Sequence, residues 1–406
     1  MLKYLSLFIL GIPFCLFAQK DSTKFIHRKP TNGDTTLTTR QDAIYQRPTL
    51  LLGKTQTAIG GYVEGNTHYQ VTDKAQEFSM EFRRFNIFLY SSIARRIKFL
   101  SEIEFEPAEG QVSIETALMD LELNPAFNLR GGILLAPIGG FNQRHDAPLW
   151  EFIERPLVAT EIIPSTLSEM GFGVFGKLYG HNKVFSYDLY AVNGLQDGIV
   201  ENNVGRTWLQ AGKNAQMLGI DNNSSPAITG KISFRHRKIG EIGLSAYHGV
   251  YNSFKKEGLT VAPKRNVSIL AIDANATLLK KLAISGEYAY NIVQVPSNVG
   301  PFFGSRQQGF YMDLVYPILK RKIFQFENTI LNANLRLEAI DYNIGNFTET
   351  NLKKYDDIKA LVAGFSLRPS ANSVLKLNYR WHWTRDLQGN PAVLTGAIQA
   401  GFAAYF

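Results

Sequence analysis

Two adjacent arginines in the stretch EFSMEFRRFNIFLYSS, Arg83 and Arg84, are the first residues whose type and spacing could do chemistry. A planar guanidinium matches a carboxylate or phosphate in a bidentate fork. The pair therefore reads either as an anion contact or as a structural pair held by nearby acids such as Glu102 and Glu104. More basic residues recur at alternate positions of other segments: Lys98, Arg130, Lys177, Lys231, Arg235, Arg336 and Arg380. At least as many acids are interleaved with them, among them Glu106, Asp120, Glu122 and Glu338. A third concentration, in APIGGFNQRHDAPLWEFIERP, holds Arg144, His145, Asp146, Glu151, Glu154 and Arg155. Enzyme chemistry is poorly served. GFGVFG at Gly171 to Gly176 fits the glycine pattern of a dinucleotide site, but that site needs a helix to follow, and KLYGHNKVFSYDLY reads as a hairpin. His145 with Asp146, and His236, lack a spaced serine partner, so a lipase-like barrel enzyme is only an alternative. With one cysteine, Cys15, no cysteine metal site is possible, and neither metal nor cofactor is expected.

The elements that position these charges are strands. In SVLKLNYRWHWT, Ser373, Leu375, Leu377, Tyr379, Trp381 and Trp383 share one parity, and Val374, Lys376, Asn378, Arg380, His382 and Thr384 the other. One apolar and one polar face is the pattern of a strand between two environments. Such segments fall at about 56–70, 77–90, 98–106, 112–123, 127–136, 171–179, 183–193, 226–236, 240–249, 266–278, 281–293, 307–316, 323–342, 357–368, 373–384 and 394–406, about 16 strands. Every even-numbered link is short: SSIARRI, NPA, GHN, RKI, LKK, PILKRK, PSAN. Several odd-numbered links are long: Pro137 to Met170, Gly194 to Ser225, Val250 to Arg265, Gln294 to Arg306 and Asn343 to Asp356. A soluble sandwich has no reason to sort its loops by parity. An all-β transmembrane antiparallel barrel does, with short periplasmic turns and long extracellular loops.

Composition agrees. Charged residues are 19% of the 406, below the ~25% usual in soluble domains, and Tyr and Phe are plentiful at 18 and 27. Mean hydropathy is −0.11, too polar for a bundle of membrane helices. Residues 1–18 have one lysine, Lys3, a short apolar run broken by Pro13, and Ala18 before Gln19, the layout of a secretory signal peptide. Residues 19–54 are polar with little periodicity and are expected to form a flexible periplasmic arm, with a plug or a subunit-swapping arm as the alternatives, leaving 55–406 as the barrel. The formal charge of +8 says nothing of where charge sits, and no nucleic-acid partner is expected.

In a barrel the apolar parity faces lipid and the charged parity faces a wet lumen. Tyr288, Tyr290, Tyr316, Phe324, Phe326, Trp381 and Trp383 then belong to the lipid face. At the arginine pair the apolar parity switches from Phe78, Met80 and Phe82 to Phe85, Ile87 and Leu89, which predicts a β-bulge. The third outer loop, the longest link by these bounds, carries apolar groups (Leu149, Trp150, Phe152, Ile153) that allow it to pack inward as a constriction, with a lid or a subunit contact as the alternatives. In the closing AIQAGFAAYF, Leu394, Ile398, Ala400, Phe402, Ala404 and Phe406 form a lipid face that must pair with the first strand. Phe406 is similar to the terminal aromatic by which the barrel-assembly machinery recognises such proteins.

FRRFNIFL, LRGGILLAPIGGFNQRHDAP, FIERP, IIPSTLSEMGFGVFG and LRPSANSVLKLNYR together resemble the phosphate-selective porin O and P family, from about residue 58 to the end. The resemblance implies a 16-stranded channel in outer-membrane lipid, often a homotrimer, that passes small anionic or polar solutes. A non-selective barrel is the other reading, because the basic residues here are interleaved with acids.

Overall fold

In the computed structural model of the chain, residues 37–406 are described, apart from 54, 74, 109 and 280. The expected signal peptide and the first part of the arm lie outside the described residues. Sixteen strands alternate with the expected links: β1 (Thr57–Thr72), β2 (Ala75–Ala94), β3 (Ile97–Glu106), β4 (Gln111–Asn124), β5 (Phe127–Leu135), β6 (Ser168–Gly180), β7 (Lys183–Val192) and β8 (Ala227–His236), then β9 (Gly240–Val250), β10 (Asn266–Leu278), β11 (Leu282–Val293), β12 (Arg306–Ile323), β13 (Phe326–Asp341), β14 (Asp357–Ser370), β15 (Ser373–Arg385) and β16 (Val393–Tyr405). Each pairs antiparallel with the next, and β16 pairs with β1 from Thr395↔Thr72 to Tyr405↔Tyr62, so the barrel is closed. Among the described residues the barrel has no unpaired edge strand.

The largest departure from expectation is β12. PILKRK was expected as a turn, but the strand runs on to Ile323, and the pairing with β13 shifts between Pro317 and Leu319. A proline cannot donate to a ladder, and a register irregularity accommodates it without ending the strand. The turn falls instead at Phe324, which has φ of 52° and is 89% exposed, so Phe324 is not on the strand face that holds Phe326. The fourth outer loop, residues 193–226, is also slightly longer than the third, residues 136–167.

Outward positions carry exposed apolar groups all around the barrel, such as Met80, Met119, Phe172, Leu244, Leu270, Phe365, Leu377 and Ile398. A continuous belt of this kind is far larger than the apolar patches that soluble monomers expose. The seam shows how closely it is fitted. The Phe406 ring stacks on Phe85 at 5.6 Å and 12°, and a Cβ on Gly61 would lie 2.4 Å from that ring.

The interior is not a simple wet tube. Ile138, Val158, Ile162, Ile163 and Leu167 of the third loop and Leu195, Ile199 and Leu209 of the fourth are buried together with wall residues Leu134, Val192, Val267 and Ile269. Full burial of one aliphatic side chain contributes about 1.5–3 kcal/mol, so these loops are fixed parts of the lumen rather than mobile surface. Residues 37–51 enter from the other side. Leu37 and Tyr45 are buried, a 3₁₀ turn spans Arg40–Tyr45, and Leu50 and Leu51 pair with Ile59 and Ala58 of β1. This stretch of the expected flexible arm is packed inside the barrel.

Candidate functional site in the lumen

Two β-bulges aim charged side chains at the third loop. Glu64 pairs with Arg84 and Gly65 with Phe82, so Arg83 is the extra residue, where the parity switch predicts it. In β4, Glu102 pairs with Thr116 and Ile103 with Ile114, leaving Glu115 extra. The same signal was present in the sequence, since the outward apolar parity changes from Val112 and Ile114 to Met119 and Leu121. Bulges let a strand turn a side chain without losing its lipid face. Arg83 reaches Glu154 at 3.0 Å, and Glu115 reaches His145 Nε2 at 2.8 Å.

Those two contacts are part of a ring of anchors. From β9, Ser245 accepts the Gly139 N–H at 2.9 Å; from β11, the Glu287 carboxylate accepts those of Gly140 and Phe141 at 2.6 and 3.0 Å. Arg336 of β13 donates to the Glu154 carbonyl at 2.8 Å, Arg368 of β14 pairs with Glu151 at 2.7 Å, and Lys376 of β15 donates to the Ala147 and Phe152 carbonyls. Asp146 accepts from the Tyr405 hydroxyl of β16 at 2.8 Å. A loop anchored by β2, β4, β9, β11, β13, β14, β15 and β16 crosses the lumen.

Most of the sequence-predicted cations are neutralised. Arg84 lies between Glu64, Glu104 and Glu106 at 2.9–3.3 Å, Arg130 pairs with Asp120 at 2.8 Å, Lys231 with Asp273 at 2.7 Å, Arg235 with Glu241 at 3.4 Å, Arg336 with Asp313 at 2.6 Å and Arg380 with Glu338 at 2.9 Å. Lys177 pairs with Asp42, and Lys98 donates to the Ser92 hydroxyl. Structural pairing is thus the geometry of Arg84 and of most of these residues. The arrangement does not form a continuous ladder of free cations.

One exception, Arg144, lies beside Arg40, and another, Arg155, lies on the loop side of the third loop. Arg155 donates to the Thr166 hydroxyl at 3.1 Å, while its Nε and Nη2 have no hydrogen-bond partner. Lys213 of the fourth loop donates to the Thr166 carbonyl at 2.9 Å. Its pKa falls to about 8, first through burial and then through the nearby Arg155 charge. Arg155, Arg83, Arg84, Arg380, His68 and Gln399 border a cavity of about 400 Å³ between the third loop and the wall of β1, β2, β15 and β16. Glu154 and Glu161 also line it, so cations outnumber acids on its border. Sequence reasoning missed Lys213 because its loop shows no periodicity to place it.

On the turn side most charges are matched and buried. His145 is fully buried, its Nδ1 facing the Asn142 carbonyl at 3.0 Å. Burial disfavours its charged form, but Glu115, then Glu102 and Asp146, outweigh this and raise its pKa to about 9. Both ring nitrogens are occupied by these contacts, and no hydroxyl nucleophile is among them. Arg47 of the arm forks onto Asp146 at 2.7 and 2.8 Å, reaches Glu102 at 2.8 Å and lies over the Phe88 ring at 4.1 Å. Burial opposes the charged form of Asp146, yet Arg47 and His145 hold its pKa below the usual range. Glu102, Glu115 and His145 place ligand atoms within 4.8 Å of one another, the one such group among the described residues, and Arg47 and the His145–Glu115 hydrogen bond already engage it. Arg144 is exposed and makes no ion pair among the described residues.

A closed sixteen-stranded antiparallel barrel crossed by its own third loop has the fold of the outer-membrane porins. Among solved structures it is similar to the anion-selective porin of Comamonas acidovorans (TM-score 0.54, 11% identity, 87% of this chain and 100% of that one). It is also similar to OprB of Pseudomonas putida (0.54, 8%, 86% and 94%) and to the outer-membrane channel DcaP of Acinetobacter baumannii (0.53, 11%, 86% and 96%). At these identities the likeness is one of fold. An uncharacterized protein of Aquifex aeolicus (strain VF5) is 28% identical over 354 residues, 83% of this chain and 78% of its own. No family model matches the chain.

Proposed function

We propose that the protein is a non-enzymatic outer-membrane channel for passive diffusion of small hydrophilic solutes, with anions such as phosphate favoured. The observation that carries this is the cavity of about 400 Å³ where the third loop meets the β1–β2–β16 wall, bordered by Arg83 and the half-unpartnered Arg155. The guanidinium groups of Arg83, Arg155 and Arg380 border that cavity, and guanidinium binds phosphate and carboxylate well. The apolar outer belt and the closed seam support placement in lipid. The resemblance to phosphate-selective porins points the same way, although pairing of most pore cations argues for a mild anion preference rather than a phosphate filter.

Planar-bilayer recordings under a salt gradient test the reading. The expected result is a water-filled conductance with a reversal potential of the anion-preferring sign. A cation preference that survives in phosphate buffer would overturn anion preference and leave the channel. Recovery of the protein as a soluble periplasmic species would end the barrel reading.

A further inference from the structure

The arm segment Arg40–Leu51 has the geometry of a strap across the turn-side mouth. Its contacts begin at Asp273 of β10 (2.6 Å from Arg40 Nη1) and at Glu241 of β9, whose carboxylate accepts the Arg40 N–H at 3.0 Å. They end where Leu50 and Leu51 pair with β1. These strands lie on nearly opposite walls of a sixteen-membered ring. At ~4.8 Å between strands and ~40° tilt, half the circumference is roughly 50 Å. One 3₁₀ stretch and five extended residues reach only about 30 Å. The segment is too short to follow the wall, so it runs as a chord through the lumen.

The chord lies beneath the cation-bordered cavity. Strands β1, β2 and β16 carry His68, Arg83 and Gln399 around that cavity and, nearer the turns, Tyr62, Phe88 and Tyr405. Arg47 sits over Phe88 and is bound to Asp146, which also accepts from Tyr405. The other end of the strap is latched to the loop as well. A Cβ on Gly140 would stand 1.4 Å from Arg40 Nη1, so only glycine there leaves room for the guanidinium to reach Asp273. The strap is held mostly by ion pairs and hydrogen bonds, with Leu37 and Tyr45 as its buried apolar anchors.

We propose that residues 40–51 act as a built-in plug that closes the turn-side half of the pore, latched to the third loop through Arg47–Asp146 and through Arg40 beside Gly140, and that the channel opens when the strap leaves. This rests on the channel reading above. Once the strap leaves, water entering the lumen solvates the carboxylates that Arg40 and Arg47 had paired, which it would not do for an aliphatic seat.

The test compares unitary conductance of the full chain with two variants in planar bilayers: deletion of residues 37–48, which spares the Leu50–Leu51 pairing, and Gly140→Leu, which leaves the strap intact but removes its seat. Heat-modifiability on gels verifies that each barrel has folded. The expected result is a several-fold rise in conductance for the deletion and more frequent opening for Gly140→Leu. Equal conductance in the folded full chain and the folded deletion overturns the plug. If that shared conductance is above zero the channel reading stands, and if it is zero the channel reading falls with the plug. A deletion that fails to fold passes the decision to Gly140→Leu, for which an unchanged open probability likewise overturns the proposal.

Discussion

The two halves of the lumen are built from the same residue types and differ in how their charges are matched. Near the turns, Arg47, Arg40, Arg130 and Lys231 each face a carboxylate across less than 3 Å, while Arg144 beside Arg40 makes no ion pair among the described residues. Near the loops, Arg155 and Lys213 have hydroxyl and carbonyl partners, and Arg155 borders the cavity. Buried matched pairs hold elements together and carry little net charge outward. A cation without a paired acid leaves a local potential that an arriving anion feels. The formal +8 of the chain cannot distinguish the two, because it sums over both.

The comparison breaks first at Arg47. Truncating it leaves Asp146 and Glu102 buried without their main counter-ion, and removing one partner of a buried pair typically costs about 3–5 kcal/mol. Local release of the strap relieves that penalty more cheaply than unfolding the barrel. Arg47→Ala should therefore make residues 37–48 sensitive to protease in detergent while the barrel stays heat-modifiable. Equal protection of the strap in wild type and variant would show that the ion pair is not what holds it.

His145 and Glu115 give the next largest effect, and its sign follows from the raised pKa. The folded-state pKa of about 9 lies above the ordinary value of ~6.5, so folding is favoured by the protonated imidazole. That contribution is fully present below pH ~6.5 and is lost as pH climbs through about 9, with a size on the order of 3 kcal/mol. The temperature of the heat-modification step should fall across this window in the wild type. Glu115→Gln should lower it most at the acid end and flatten the slope. A wild-type profile with no slope between pH 6.5 and 9 would contradict the charged pairing.

How much of this was legible before the structure depended on whether a pattern was local. Alternation and loop parity are local and repeated, so the sixteen strands and their faces were readable, down to the bulge at Arg83. The bulge at Glu115 left the same trace in Val112, Ile114, Met119 and Leu121 but had no doubled charge to draw attention to it. Proline punctuated β12 misleadingly, because a register shift absorbs it. The strap was illegible for a different reason. Residues 40–49 have the polar composition of a flexible segment, and what orders Arg40, Tyr45 and Arg47 is a set of charged groups more than 50 residues away in sequence, such as Asp273, Arg130 and Asp146. Charge complementarity at that range leaves no periodic mark.

The smallest effect sharpens the loop-side half. A unit charge about 8 Å from a permeating ion in water interacts by roughly 0.5 kcal/mol, a factor of about two in local concentration. The charge enriches anions and depletes cations alike, so Arg155→Ala should lower the anion-to-cation permeability ratio by about the square of that factor, and Arg155→Glu by about its fourth power, with assembly unchanged. Lys213 supplies an internal check, because its pKa of about 8 makes it neutral as pH passes from 7 to 9. Anion preference should weaken over that range in the wild type, and Lys213→Gln should start from the weakened value and stay flat. Arg47→Ala, on the matched side, should leave the permeability ratio alone even where it changes conductance, since it removes a charge whose field Asp146 and Glu102 already cancel. A shift in the ratio as large as that from Arg155→Ala would mean that both halves of the lumen contribute to selectivity and that the division between matched and unmatched charge does not hold.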